Sequence, residues 1–335
     1  MPYPIVRTLR RLTYWQWAKI GIALLSMVAV FESWSLYRRS LAIRNLSSVA
    51  QLRTDELGPF WLRSRVPRWV CETVLVTPRA VLLTSRADAA EKTLVELSHL
   101  PTVQSLRLYS SRQTSNAAIH QRSQWNRTLR QIGRLTQLTE LALSLEIEDD
   151  DLRELGGLSL LQRLHLDRDH LTAQGLRGLL PLTSLRDVSL SSATDDSLAV
   201  LAQLPNLEIL SLRGTAVTDD GLKHLRGHGR LRSLLLGSTN VTDHGAIHLL
   251  SLPALEIVDL QQTKISDAGA ASLSKIPQLQ RLNLSGTAIT DASIPHLVRI
   301  PQLKGLGMVG SRVTDEGFMQ FARACPEVTL PLPIR

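Results

Sequence analysis

Three histidines recur in this sequence at spacings that could bring imidazole groups together around a metal ion. His248 follows His224 by 24 residues, and His296 follows His248 by 48. Structural zinc takes four tetrahedral ligands, and no carboxylate or thiolate recurs beside these histidines. The spacing therefore predicts a solvated helix face and no metal site.

The acidic run at residues 148–151 (EDDD) is a second group that could do chemistry, because carboxylate oxygens bind calcium. Calcium takes six or more oxygens in a defined arrangement. The run also stands where a helix is predicted to begin, and carboxylates are favourable near the positive end of a helix dipole. We therefore predict that these residues stabilise a helix start.

Motifs for catalysis are absent from the chain. There is no G-x-S-x-G, no glycine-rich phosphate loop and no H-E-x-x-H. Cys71 and Cys325 lie far apart, which excludes a disulfide-dense module and a multi-cysteine zinc fold. The sequence predicts neither an enzyme nor a bound cofactor.

A short leucine pattern, L-x-L, indicates the repeated structural elements that would position the polar residues of this chain. It recurs every 22 to 24 residues, and one earlier pair precedes the series by a 35-residue step, which predicts an insertion at 109–134. Such periodicity predicts about ten stacked units, each with a strand and a helix, whose strands form one parallel sheet. No Phe, Trp or Tyr occurs from 126 to 317, so we expect an aliphatic core. The pairs are Leu106/Leu108, Leu141/Leu143, Leu164/Leu166, Val188/Leu190, Leu210/Leu212, Leu234/Leu236, Val258/Leu260, Leu282/Leu284, Leu306/Met308 and Leu330/Leu332.

Each unit carries two further signals after its strand. The first is a threonine, predicted to hydrogen-bond buried backbone at the turn and so to form a structural ladder. The second is a Ser/Thr-Asp pair, as in Thr218-Asp219, suited to the N-cap and first turn of a helix. The predicted ladder threonines are Thr215, Thr239, Thr263 and Thr287.

Residues 210–222 (LSLRGTAVTDDGL) and 282–291 (LNLSGTAITD) resemble leucine-rich repeats of the subclass with a T-D-x-G-L helix start. Similar repeats occur in F-box adaptor proteins and in many bacterial proteins, and residues 321–326 (FARACP) resemble the cysteine-containing variant. Residues 37–43 (YRRSLAI) with 58–63 (GPFWLR) are similar to the juxtamembrane stretch of bacterial membrane-anchored repeat proteins.

The resemblance implies an α/β leucine-rich-repeat solenoid, a right-handed horseshoe with parallel strands on its concave face and helices on its convex face. This sequence departs from the pattern at a few positions. Asp169 and Ala193 replace the ladder threonine, and Ser197 and Ser293 replace the glycine of the helix start.

Arginines on successive repeats are predicted to face outward from the concave strands, beside a histidine. They would form a partly neutralised basic stripe, and arginine is favoured at interfaces. Two interpretations stay open: a specific site for a protein or an acidic ligand, and a generic charged surface. The candidate binding residues are Arg163, His165, Arg186, Arg213 and Arg232.

The basic excess belongs to the N-terminus. Residues 1–70 carry 11 basic and 3 acidic side chains, leaving 27 of each in residues 71–335, so the charge does not indicate a nucleic-acid partner. The apolar run at 20–31 is flanked on both sides by Tyr, Trp and Phe, as at the two surfaces of a bilayer. It predicts a single transmembrane signal-anchor helix over 12–37. A cleaved signal peptide and a buried helix of a soluble protein are the alternatives.

The predicted organisation is a basic tail (1–11), the membrane span (12–37), a juxtamembrane helix and cap (38–76) and the repeat domain (77–335). Basic residues on both sides of the span slightly favour a cytoplasmic N-terminus, which would put the repeats outside the cytoplasm. We expect a membrane-anchored, non-catalytic scaffold that binds an unidentified protein partner. The alternative is an intracellular adaptor or enzyme regulator of the ubiquitin-ligase type.

Overall fold

The computed structural model describes residues 50–56, 76–84, 103–109 and 118–330 of the chain. Within these residues, eleven strands form one sheet whose spatial order is the order of the chain. The first two strands pair antiparallel and all later neighbours pair in parallel. The strands are β1 Ala50–Glu56, β2 Val76–Thr84, β3 Ser105–Tyr109, β4 Glu140–Ile147, β5 Arg163–Asp169, β6 Asp187–Leu190, β7 Ile209–Ser211, β8 Ser233–Leu235, β9 Ile257–Asp259, β10 Arg281–Asn283 and β11 Gly305–Gly307.

Helices connect the parallel strands from β3 onward. Three of the short ones are extended by a 3-10 turn, at Arg177–Leu179, Lys223–Leu225 and Asp291–Ser293. The α-helices are α1 Ala118–Gly133, α2 Asp149–Arg153, α3 Ala173–Leu176, α4 Asp195–Leu201, α5 Asp219–Leu222, α6 Asp243–Leu249, α7 Asp267–Leu273, α8 Ile294–Leu297 and α9 Asp315–Ala324.

The leucine pattern sets the register of the sheet. Leu210 lies opposite Leu234, and Leu234 lies opposite Val258, so equivalent residues of successive repeats stack side by side. Because side chains alternate across a strand, both apolar residues of each L-x-L point into the core and the residue between them faces outward. The predicted α/β solenoid with stacked parallel strands is confirmed.

The core between the sheet and the helices is built from aliphatic side chains. Leucines of the strands, such as Leu234 and Leu236, and of the helices, such as Leu222 and Leu225, have almost no exposed surface. Among the described residues, Phe321 in α9 is the single fully buried aromatic side chain of this core, and the partly buried Phe318 packs against the core. A narrow aliphatic layer suits a solenoid because each repeat contributes the same few side chains at the same depth.

Six of the described helix starts are bonded to the helix start of the preceding repeat. In the pair Asp219 and Thr242, Oδ1 accepts the Thr242 backbone N–H at 2.8 Å and Oδ2 accepts the Thr242 hydroxyl at 2.6 Å. The Thr242 hydroxyl also accepts the N–H of His244 as an N-cap. The same double contact joins Asp149 to Thr172, Asp195 to Thr218, Asp243 to Ser266, Asp267 to Thr290 and Asp291 to Thr314.

This contact explains the glycine of the T-D-x-G pattern. A Cβ added at Gly245 would lie 2.3 Å from Asp219 Oδ1, and one added at Gly317 would lie 2.1 Å from Asp291 Oδ1. The aspartate of one repeat therefore occupies the space that a side chain would need in the next. Ser197 departs from the pattern where the preceding repeat has Ala173 in place of aspartate, so the conflicting carboxylate is absent there. Ser293 keeps a side chain although Asp267 bonds to Thr290, in a repeat that begins with a 3-10 turn.

Residues 50–56 differ from the sequence prediction. The near-helical spacing of Leu41, Leu46, Val49 and Leu52 predicts a helix, whereas the structure places residues 50–56 in β1, paired antiparallel along β2 with an irregularity at Arg53/Thr54. An open sheet edge offers unpaired backbone donors and acceptors. Pairing with that edge overrides a short helical pattern.

No helix in the described ranges is long and apolar enough to cross a membrane. The tail at 1–11 and the predicted span at 12–37 lie outside these ranges, as does most of the predicted juxtamembrane segment, including Cys71. In the predicted insertion, α1 contributes Leu129 and Ile132 to the core.

Candidate functional site

The predicted ladder threonines lie at equivalent turns just after their strands. Each hydroxyl donates to the carbonyl oxygen three residues earlier, at 2.6 to 2.7 Å, and each side chain is buried. The acceptors are Leu212, Leu236, Leu260 and Leu284. With their protons committed to buried carbonyls, these hydroxyls hold the turn and are not available as nucleophiles.

The predicted arginine stripe lies on the outward surface of the sheet, which we call the strand face. Arg163 begins β5 and donates to Oε2 of Glu140 on β4 at 2.8 Å, while Arg107 on β3 donates to Oε1 of the same carboxylate at 2.7 Å. Burial works to raise the pKa of Glu140, but the hydrogen bonds from Arg163 and Arg107 outweigh it and hold that pKa below its usual value. The hydrogen bond to Glu140 likewise raises the pKa of Arg107.

The other three stripe arginines also meet carboxylates from neighbouring strands. Arg186 donates to Glu208 at 2.7 Å, Arg232 pairs with Glu256, and Arg213 pairs with Asp259. Each of the four predicted arginines therefore contacts a carboxylate within the face itself, and Arg163 shares its carboxylate with Arg107. Exposed ion pairs of this kind contribute little free energy, but they leave the central strand face close to electrically neutral.

His165 lies on β5, with its Nε2 3.7 Å from Oδ2 of Asp187 on β6. Burial raises the pKa of Asp187 despite the nearby His165 and Arg163. Beside this pair, the Ser144 hydroxyl donates to Oδ2 of Asp167 at 3.0 Å. His165, Ser144 and Asp167 border a shallow depression of about 390 Å³ in the strand face, where small residues such as Ala142 and Ser189 lower the floor.

A second depression, of about 540 Å³, lies farther along the strand face over β9, β10 and β11. Its polar residues are Asp259, Asn283, Arg281 and Lys304, and its apolar wall includes Ile257. Asp259 is only 3% exposed; its Oδ1 accepts the Gln261 N–H at 3.1 Å, and its Oδ2 contacts the Arg213 guanidinium without hydrogen-bond geometry.

The sequence prediction did not single out Arg281 and Lys304. The signal that could have found Lys304 is the residue just before each strand, which alternates as Arg186, Glu208, Arg232 and Glu256 along the repeats. The alternation stops at Gln280, and the next cation, Lys304, donates to that neutral amide at 2.9 Å.

Apolar side chains also reach the outside of the sheet from β7 to β9, and two of them border the second depression. Ile209 is 38% exposed, and Leu235 and Ile257 on the next two strands are half-buried. The strand face therefore offers charged, polar and apolar contacts within one surface.

The groups considered first as metal ligands are not brought together. In the described part of the chain, no three His, Cys, Asp or Glu side chains converge as a metal site would require. In the acidic run, Glu148 and Asp151 form the reciprocal capping box of α2, and Asp149 bonds to Thr172 of the next repeat. These carboxylates serve the helix start.

Comparison with known proteins gives one family match. Residues 229–289 match the family model of the leucine rich repeat. No curated protein sequence matches the chain.

Solved structures with a similar fold include two internalins of Listeria monocytogenes. InlF is 16% identical with a TM-score of 0.43, over 81% of this chain and 85% of that chain. Internalin C2 is 20% identical with a TM-score of 0.45, over 62% and 84%. The mouse RP105/MD-1 complex contains a chain that is 19% identical with a TM-score of 0.47, over 70% of this chain and 39% of that one.

Proposed function

We propose that this leucine-rich-repeat protein is a non-catalytic scaffold that binds a protein partner through its strand face. The observation that carries the proposal is the composition of that face, where successive strands present charged, polar and apolar side chains in register and two depressions interrupt the surface. A rigid surface with mixed chemistry is what specific protein recognition uses.

We also propose that residues 12–37 hold the protein in a membrane, with the repeats outside the cytoplasm. The support is the apolar run between two aromatic clusters and the slight excess of basic residues before it. Such an anchor would restrict the scaffold to partners at the membrane surface. A reporter enzyme fused after Arg335 and active only outside the cytoplasm is the expected result; activity only inside would overturn this arrangement.

Crosslinking of the full chain in membranes, followed by identification of its neighbours, tests the scaffold proposal. We expect one or a few proteins to be captured, and we expect Arg186→Glu, which places a second carboxylate beside Glu208, to reduce that capture. Arg177→Glu is the matched control, because Arg177 is an exposed arginine on the helix side. Equal capture by wild type and by variants across the whole strand face would refute binding through this face.

A further inference from the structure

The ion pairs of the strand face end before its last strands. Arg163, Arg186, Arg213 and Arg232 each contact a carboxylate. Within the described residues, no carboxylate forms an ion pair with Arg281 or Lys304, and both side chains are exposed. Both cations line the second depression, and Arg281 lies opposite Gly305, the residue after Lys304.

These two cations line the second depression, where the other two charged side chains neutralise each other. Asp259 is neutralised by Arg213 across two repeats. The depression therefore carries a local excess of two positive charges on an otherwise balanced face. An unpaired guanidinium is suited to bidentate binding of a carboxylate.

Two glycines of β11 lower the floor of the depression, and only one of them is required by packing. A Cβ at Gly307 would lie 2.4 Å from Asn283 Oδ1. At Gly305 a Cβ would meet its nearest neighbours, Arg281 Cγ and the Thr329 carbonyl oxygen, at the ordinary distances of 3.7 and 3.9 Å. Neither a steric conflict nor a positive φ requires glycine at position 305. The absence of a side chain there leaves open space beside Arg281.

The walls indicate what kind of group would fill that space. Ile257 lies directly opposite Arg281 on the next strand, and Leu235 lies one strand beyond, opposite Asp259. An apolar side chain of a bound segment can pack on these residues while a carboxylate reaches the cations.

We propose that the second depression binds an acidic, extended peptide segment of a partner protein, anchored by Arg281 and Lys304. The inference rests on the proposed scaffold function and names the chemistry of the partner. A protein segment fits better than a nucleic acid, because the neighbouring arginines already contact carboxylates and leave few cations for a row of phosphates, whereas Ile257 and Leu235 offer apolar contacts.

Fluorescence anisotropy with the full chain in detergent tests the proposal. The probes are ten-residue peptides with neutral dyes and capped ends, in which valine alternates with glutamate, glutamine or lysine. We expect the glutamate peptide to bind at least about tenfold more tightly than the other two, as expected for a charge-selective site. Equal binding of the glutamate and glutamine peptides would overturn the proposal, as would equal binding of a ten-nucleotide oligothymidylate.

Variants locate the site. Arg281→Glu and Lys304→Glu should each weaken the glutamate peptide by about tenfold or more, and Gly305→Val should weaken it by filling the depression. Arg299→Glu, an exposed arginine on the helix side, and Gly229→Val, a glycine with open space around it, are matched controls expected to change nothing. Unfolding curves matching wild type would show that the variants fold.

Two further results distinguish this inference from the proposed function. If Arg281→Glu leaves membrane crosslinking intact while Arg186→Glu abolishes it, the scaffold function stands and this site is wrong. If light scattering shows that wild type self-associates and Arg281→Glu does not, the occupant is a second copy of this chain and the peptide proposal is refuted.

Discussion

Glu140 shows how a single carboxylate serves several strands at once. It lies on β4 and is 8% exposed, yet it accepts hydrogen bonds from Arg107 on β3 and Arg163 on β5. Burial alone would favour its neutral form, and the two guanidinium groups reverse that preference. The residue therefore couples three repeats through charge.

Replacing Glu140 by glutamine should make the protein less stable in a pH-dependent way. The pKa of Glu140 is lowered in the fold, so its ionised form contributes stability that is complete above the ordinary pKa of about 4.3 and is lost as the pH falls through the lowered value. We expect Glu140→Gln to cost about 1 kcal/mol at pH 7. Urea unfolding from pH 7 to pH 3 measures this, and a constant difference between the two proteins over that range would contradict the assignment.

Gly317 and Asp291 show a second contact between single residues, in which the aspartate of one repeat lies where a side chain of the next repeat would be. Gly317→Ala places a Cβ where Asp291 Oδ1 now lies, and Asp291→Ala removes the oxygens that accept from Thr314. Each single change should destabilise the protein, by about 1 to 3 kcal/mol.

The double variant should cost less than the sum of its parts, because the clash and the carboxylate disappear together. The natural pair Ala173 and Ser197 already has this combination. A double-mutant cycle by urea unfolding should give a coupling energy of about 1 kcal/mol or more. Strict additivity would show that the aspartate does not set the need for glycine.

At the scale of elements, each strand depends on the turn that follows it. At the turn, the buried threonine hydroxyl donates a hydrogen bond to a backbone carbonyl where the chain leaves the sheet. The antiparallel β1 acts at the other end of the same sheet, where it pairs with the backbone of β2. Both devices satisfy backbone groups that the parallel ladder leaves unpaired.

Thr263→Val tests the turn, because valine keeps the shape and removes the hydroxyl that donates to Leu260. We expect a loss of about 1 to 2 kcal/mol, as for a buried carbonyl deprived of its donor. Thr263→Ser is the control and should lose less, since its hydroxyl can make the same bond. Denaturant midpoints measure both, and an equal loss for the two variants would mean that packing of the methyl group dominates.

At the scale of the whole molecule, the order of the sheet equals the order of the chain, so each repeat contacts mainly its neighbours. Stability in such a solenoid is a sum of repeat and interface contributions, and its two ends communicate only through the repeats between them. The two depressions lie side by side along the strand face, one over β3 to β7 and the other over β8 to β11, and Arg213 borders both.

Leu234→Ala should weaken the middle of the solenoid, because Leu234 on β8 is fully buried between Leu210 and Val258. A buried leucine truncated to alanine costs about 2 to 5 kcal/mol. Hydrogen exchange should show that protection falls most in β7, β8 and β9 while β4 and β5 keep theirs. A uniform fall along all strands would indicate one cooperative unit.

Much of this fold follows from sequence spacing. The L-x-L period predicts the parallel strands and their register, because only one register stacks the apolar residues of every repeat. Sequence was less informative at 50–56, where a helical pattern gives way to a strand, since the edge that it pairs with comes from residues 76–84. Local periodicity carries no information about a distant backbone that needs partners.

For the candidate site, the sequence by itself determined that arginines recur on the outward positions of the strands. It could not determine the net charge of the surface that carries them, because each partner carboxylate is 22 to 46 residues away in the chain. Only the stacking of the repeats brings arginine and carboxylate together. The tertiary structure decided that each stripe arginine contacts a carboxylate and that Arg281 and Lys304 contact none among the described residues. The physical reason is that residue type and period are local properties of the chain, whereas electrostatic pairing depends on which side chains lie within a few ångströms across the sheet.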